Sequence, residues 1–283
     1  MPNLNKILII RFSSFGDIAQ SLSVISSIKG KFPNSEIHFL TRSDYSTFLS
    51  LEKQINRVWS FDRSSGLKGL MNLSLKLRNE KFDGIYDAHN NLRSKILRIL
   101  LFTFKYQNFI KRPKNRFRRF LLFYLRINTF SNLYGGMISY IMPLHSWGIY
   151  EKKPILPVNL TFSQNVKESV SALLKNNKTF IALAPSAAWD LKRWPINYWE
   201  KLIELLDKYN FVLLGGKQDS FLNDIAKKNS RSILNLAGLL DYSGTAAIIE
   251  ASSAVVSADT GVLHVADLLG KKGIALIGPT AFG

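Results

Sequence analysis

Short apolar runs recur along this chain, each followed by a longer amphipathic stretch, and that alternation is its strongest constraint on folding. In the first half the strand candidates are residues 6–12, 36–40, 57–61, 84–87 and 106–110. Helical stretches fall at 17–31, 66–79, 117–126 and 136–141. The second half repeats the theme, with strands expected at 179–184, 211–214, 233–236, 254–257 and 273–277. Its helices are expected at 164–175, 195–208, 220–228, 243–252 and 262–269, with Pro195 suited to a first turn. Strands that alternate with helices need parallel sheets and crossover connections. The chain therefore reads as α/β, with two Rossmann-like domains whose parallel sheets face across a cleft. The stretch Lys152-Lys153-Pro154-Ile155-Leu156-Pro157 is the linker candidate, dividing 1–155 from 156–283. With 283 residues, each half is large enough to bury a core of its own. In open parallel sheets ligands bind beyond the carboxyl ends of the strands, so the chemistry is sought in those loops.

Charge is distributed unevenly over this frame. Residues 1–155 carry 25 Lys/Arg against 9 Asp/Glu, whereas residues 156–283 carry 13 against 11. Residues 88–150 hold 11 of the cations and no acid, interleaved with Phe102, Phe104, Tyr106, Phe109, Phe117, Phe120, Phe123 and Tyr124. A basic, aromatic surface suits phosphorylated partners, anionic lipid headgroups or nucleic acid. The plainer reading puts the cations on a solvated face and the aromatics in the core. The absence of cysteine excludes disulfides, Cys-ligated zinc, iron–sulfur clusters and thiol nucleophiles. No run of 18 apolar residues exists to span a membrane. The opening Met-Pro-Asn-Leu-Asn-Lys runs straight into a strand, so no secretory signal and a cytoplasmic location are expected.

Several strand-end loops carry candidate chemistry. The first reads Arg11-Phe12-Ser13-Ser14-Phe15-Gly16-Asp17, a small-residue loop opening a helix. Such a loop presents N–H groups to an anion, yet it is neither Gly-x-Gly-x-x-Gly nor a P-loop. Asp17 reads as a helix-capping residue or as a general base. The fourth strand ends in Asp87-Ala88-His89-Asn90-Asn91-Leu92-Arg93-Ser94, where Arg93 is a candidate bidentate phosphate clamp. In the second half Ser186 is followed by Lys192-Arg193-Trp194-Pro195, and Gly215-Gly216 permits close backbone approach to a ligand. The strongest local signal is Asp259-Thr260-Gly261-Val262-Leu263-His264. It places Thr260 and Gly261 at a helix N-terminus, which favours phosphate, with His264 one turn further in.

These segments together resemble the glycosyltransferase family 9 heptosyltransferases. The matching segments are Ile9 through Ile18, Asp87 through Ser94, Lys192-Arg193-Trp194-Pro195, Leu213-Leu214-Gly215-Gly216, Asp259-Thr260-Gly261-x-x-His264 and Ala275-Leu276-Ile277-Gly278-Pro279-Thr280. The resemblance implies a GT-B fold, with an acceptor domain followed by a nucleotide-sugar domain. It implies inverting, metal-independent transfer of heptose from ADP-heptose to the lipopolysaccharide inner core, with no further cofactor. Asp17 would be the catalytic base. Ser186, Lys192, Gly215, Gly216, Asp259, Thr260, Gly261 and His264 would hold the donor, with Asp219 a looser match to a ribose partner. Ser14, His89, Asn90 and Arg93 would face the acceptor. The basic first half would then meet the inner-leaflet surface as a peripheral enzyme, and no nucleic acid is expected as a partner. Leu22-Ser23 stands where the family often has Leu-Pro. Family members continue beyond the Gly-Pro-Thr turn, so the C-terminal end is expected to be missing. Two other readings stay open: the same fold with another nucleotide sugar, and a non-enzymatic basic binder of membrane or polyanion.

Overall fold

The structure is a computed structural model, and it describes residues 3–101, 108–130, 136–174, 179–228 and 233–278. The chain forms two compact units that part between Ile155 and Leu156. The short segment Ser14–Ala19 groups with the second unit rather than the first, which the linear division at 155 does not anticipate.

The first unit runs β1 (Lys6–Ile10), α1 (Phe15–Lys31), β2 (Glu36–Arg42), α2 (Ser46–Leu49), β3 (Arg57–Phe61) and α3 (Gly66–Asn79). It continues with β4 (Gly84–Asp87), α4 (Leu92–Leu101), β5 (Phe109–Lys111), α5 (Arg116–Tyr124) and α6 (Ile138–Ile141). Its strands form one parallel sheet in the order β3-β2-β1-β4-β5. The central strand β1 buries Ile7, Leu8, Ile9 and Ile10 together. An unbroken apolar run of this kind fits a parallel strand covered on both faces. One face meets α3 and α4: Leu8, Ile10 and Leu40 pack with Leu70, Leu73, Leu77, Leu97 and Leu101. The three- and four-residue steps of Leu70, Leu73 and Leu77 place them on one stripe of α3.

The second unit runs α7 (Gln164–Leu174), β6 (Phe180–Ala184), α8 (Ile196–Leu205), β7 (Asn210–Leu213), α9 (Leu222–Lys228) and β8 (Ile233–Asn235). It closes with α10 (Tyr242–Ala251), β9 (Ala254–Ala258), α11 (Gly261–Leu268) and β10 (Gly273–Leu276). The parallel sheet has the order β10-β9-β6-β7-β8. With the strands of each unit counted from its first, both sheets therefore share one order, 3-2-1-4-5. Its reversal point lies between the first and fourth strands, where open α/β sheets bind ligands. The loops that flank it follow β1 and β4 in the first unit and β6 and β9 in the second.

Several expectations need correction. Leu92–Leu101 is a helix that the apolar alternation does not predict; its buried stripe is only Ser94, Leu97 and Leu101, and Arg93, Lys95 and Arg98 set among the apolar residues hide the period. Pro195 is the N-cap of α8 and lies just outside the first turn. The aromatics of α5 are not in the core, for α5 buries none of its residues. Phe102, Phe104, Lys105, Tyr106, Lys175, Pro279 and Thr280 lie outside the described residues.

Candidate active site

The second unit contains a cavity of about 880 Å³ at the carboxyl end of its sheet. The loop after β6 brings Ser186 and Lys192 to it, the turn after β7 brings Gly215 and Gly216, and β9 delivers Asp259, Thr260 and Gly261. Ser14, Phe15, Gly16 and Asp17 line the same cavity, as does His264.

Glycines make this convergence possible. A methyl group on Gly16 would lie 2.5 Å from His264 Cδ2 and 3.1 Å from Gly261 Cα. A methyl group on Gly261 would lie 2.7 Å from Phe15 Cδ1 and 3.0 Å from the Gly16 nitrogen. Only residues without a Cβ let the first turns of α1 and α11 approach this closely. Phe15 in turn packs on Tyr242, with ring centroids 4.4 Å apart. Two helix N-termini thus open on one cavity, and their exposed N–H groups and dipoles favour a bound anion there.

At the head of α1, the Ser14 hydroxyl donates to Asp17 Oδ2 at 2.9 Å, while the Ser14 backbone N–H approaches the same oxygen at 3.4 Å. The pair resembles a capping box. Asp17 therefore supports its helix and lines the cavity at once. At the head of α11, Thr260 occupies the N-cap position without a capping side-chain bond, and its Oγ1 lies 3.1 Å from Ser257 Oγ.

Positive charge comes from Lys192, whose Nζ pairs with Asp259 Oδ2 at 2.5 Å. His264 is half-buried. Burial holds its pKa below the ordinary 6.5, against the pull of Asp259 and Asp17, so the imidazole favours its neutral form. Ser186 Oγ is buried and has no hydrogen-bond partner among the described residues. A buried hydroxyl of this kind is costly unless a ligand or water completes it. A methyl group on Gly215 would lie 3.3 Å from that oxygen and 2.5 Å from Leu222 Cδ1, so a side chain there would have to displace Leu222 and crowd Ser186. Asp219, weighed as a ribose partner, accepts the Gly216 N–H at 2.7 Å and thereby shapes the same turn. Among the described residues, no group of three or more His, Asp or Glu side chains is placed to hold a metal ion.

The acceptor candidates are divided. Ser14 belongs to the second unit, and His89, Asn90 and Arg93 to the first. Buried Asp87 accepts the N–H groups of His89 and Asn90 and the Ser94 hydroxyl. His89 Nδ1 accepts the Phe12 N–H at 3.1 Å, and Asn90 Nδ2 donates to the Arg112 carbonyl at 2.8 Å. Arg93 stands over the rings of Phe12 and Phe61. The loop after β4 is therefore a stiff, hydrogen-bonded platform. Nearby, burial together with Arg116 and Arg11 holds the Lys114 pKa below the usual lysine value, an indication of concentrated positive charge.

Phe15, Asp241 and Tyr242 line the cavity without having been singled out from the sequence. For Phe15 a signal existed in the Ser14-Phe15-Gly16-Asp17 run, whereas an aromatic at the start of α10 carries none.

The sequence model of glycosyltransferase family 9 (heptosyltransferase) matches residues 70–283. The chain belongs to glycosyltransferase family 9. It is 26% identical to lipooligosaccharide heptosyltransferase 2 of Haemophilus ducreyi over 98% of this chain and 84% of that protein. It is 25% identical to lipopolysaccharide heptosyltransferase 2 of Salmonella typhimurium, over 98% and 83% of the two chains. Among solved structures, E. coli ADP-heptose lipopolysaccharide heptosyltransferase II superposes with a TM-score of 0.78 at 23% identity, covering 98% of this chain and 86% of that one. E. coli heptosyltransferase WaaC with ADP gives 0.71 at 20% identity, covering 98% and 88%. This family 9 glycosyltransferase thus has the α/β, GT-B class of fold expected of it.

Proposed function

We propose that this glycosyltransferase moves heptose from ADP-heptose to the lipopolysaccharide inner core, with inversion and without a metal ion. One observation carries the reading: a carboxylate, an ammonium group, two helix N-termini and a histidine line a single cavity. The acceptor hydroxyl oxygen attacks C1 of the heptose while the bond from C1 to the diphosphate oxygen breaks. Asp17 takes the hydroxyl proton, a role that typically contributes about 10²–10⁴-fold. A single displacement of this kind inverts the anomeric centre. ADP leaves with the bonding electron pair. Its charge is met by Lys192, by the N–H groups at the head of α11 and by the N–H of His264, the work a metal ion does elsewhere. Ser186 has a hydroxyl to complete, and Gly215, Gly216, Thr260 and Asp259 frame the remaining donor contacts. The names of the curated relatives, heptosyltransferases of lipooligosaccharide and lipopolysaccharide, support the sugar and the acceptor.

His89, Asn90, Arg93 and Ser14 are the proposed acceptor contacts. The surplus of cations in residues 1–155 suits an acceptor carrying carboxylates and phosphates at the inner leaflet, where each well-placed Lys or Arg contributes about 1 kcal/mol. The enzyme then works at the cytoplasmic face as a peripheral protein. Among the described residues, no helix is long and apolar enough to cross a membrane. Competition binding tests the donor: ADP-heptose and ADP should displace a fluorescent ADP analogue. Displacement by UDP-sugars with indifference to ADP-heptose would reject this donor in favour of another nucleotide sugar.

A further inference from the structure

We infer that α5 is an interfacial anchor that seats the first unit on an anionic lipid surface. A helix in a globular protein ordinarily turns its apolar stripe inward. In α5 no residue is buried. Phe117, Phe120 and Tyr124, spaced to share one side of the helix, are 71%, 48% and 76% exposed. The rings of Phe120 and Tyr124 stack at 5.0 Å, which makes the stripe continuous. Leu125 and Ile127 extend the exposed apolar surface past the helix end.

Arg116, Arg118 and Arg119 share the rest of the helix circumference with half-buried Leu121 and Leu122 and with Phe123, over which Arg119 stands. Lys111 and Lys114 precede the helix, Arg126 follows it, and no acidic residue occurs anywhere in residues 88–150. An exposed aromatic stripe whose neighbouring charges are all cations is the pattern of a helix lying in the headgroup region. There the rings enter the acyl boundary and the guanidinium groups meet lipid phosphates. A protein partner would have to be both strongly acidic and apolar. An anionic bilayer supplies both properties at once, and charge complementarity selects it. The inference deepens the proposed function by naming what holds the enzyme where a lipid-linked acceptor lies. Vesicle binding itself is read without donor or acceptor.

The test uses the full chain with vesicles of phosphatidylglycerol and phosphatidylcholine, and with vesicles of phosphatidylcholine alone. The protein is expected to co-sediment with the first and not the second. Replacing Phe117, Phe120 and Tyr124 together by Ser should weaken binding at least about tenfold. Replacing Arg116, Arg118 and Arg119 by Gln should weaken it by about fivefold per residue. Thermal unfolding should be unchanged in both, since the side chains are exposed. In a Phe120→Trp protein, indole emission should shift to the blue on the anionic vesicles. Undiminished binding by the Ser variant would reduce α5 to plain polyanion attraction and overturn the inference. So would a dimer that depends on the three aromatics in a protein that ignores vesicles. Failure of heptose transfer with α5-dependent vesicle binding intact would sink the proposed function and leave the anchor standing.

Discussion

Gly16 and Gly261 lie so close that a Cβ on either would press on the backbone of the other, at 3.1 Å and 3.0 Å. This approach brings the first turns of α1 and α11 to one anion-favouring cavity. Gly261→Ala should therefore do more than crowd a helix. Overpacking of this kind costs about 1–3 kcal/mol, and relief would come from parting the two turns. The expected outcome is a lower Tm together with ADP affinity reduced at least about tenfold. Calorimetric titration measures the second effect, and full affinity in a well-folded Gly261→Ala protein would show that the close approach has no part in binding.

Asp17 has two duties, and they separate by substitution. Asp17→Asn keeps an oxygen for the Ser14 hydroxyl but removes a base. Turnover should fall by about 10²–10⁴-fold while ADP binding and Tm stay near those of the parent. Turnover close to the parent's would remove Asp17 from the chemistry and leave it a capping residue.

Lys192 neutralises Asp259 now and, in the proposed complex, shares its charge with the leaving diphosphate. Hydrogen bonds to charged groups contribute about 1.5–3 kcal/mol, so Lys192→Met should weaken ADP binding by roughly 10–100-fold. AMP, with one phosphate fewer, should lose less. Equal losses for ADP and AMP would place Lys192 away from the β-phosphate.

His264 makes stability depend on pH. Its folded pKa lies below the ordinary 6.5, chiefly because burial disfavours the imidazolium. When the pH falls below that ordinary value, the unfolded chain binds the proton first. The stability present above it is then lost until the folded pKa has been passed. Burial moves His38 in the same direction. His264→Gln should flatten part of the decline in urea midpoint between about pH 7.5 and about pH 5. Parallel pH profiles for the two proteins would contradict this assignment.

Much of the frame was legible because β1 and β4 are short, largely apolar runs and β3 buries Trp59 and Phe61 on either side of exposed Ser60, and 57–61 and 84–87 match the observed strands residue for residue. Strand order was not legible. It depends on pairings such as Ile9 with Phe39 and Tyr86, which are distant in sequence. The donor candidates could be named because Asp259-Thr260-Gly261 and Gly215-Gly216 each combine a strand end with small residues. The cavity's aromatic wall was not visible, since the contact of Phe15 with Tyr242 joins residues that lie far apart along the chain. The grouping of Ser14–Ala19 with the second unit was hidden for the same reason. In α5 the apolar period was visible but its direction was not. Periodicity tells which residues share a face, and only packing tells whether that face is covered.

The most direct measurement is mass spectrometry of heptose-deficient core lipopolysaccharide after incubation with the protein and ADP-heptose. A gain of one heptose residue per acceptor, with an equal amount of ADP released, is the predicted result. An unmodified acceptor in the presence of ADP-heptose, with transfer occurring from a different nucleotide sugar, would contradict it.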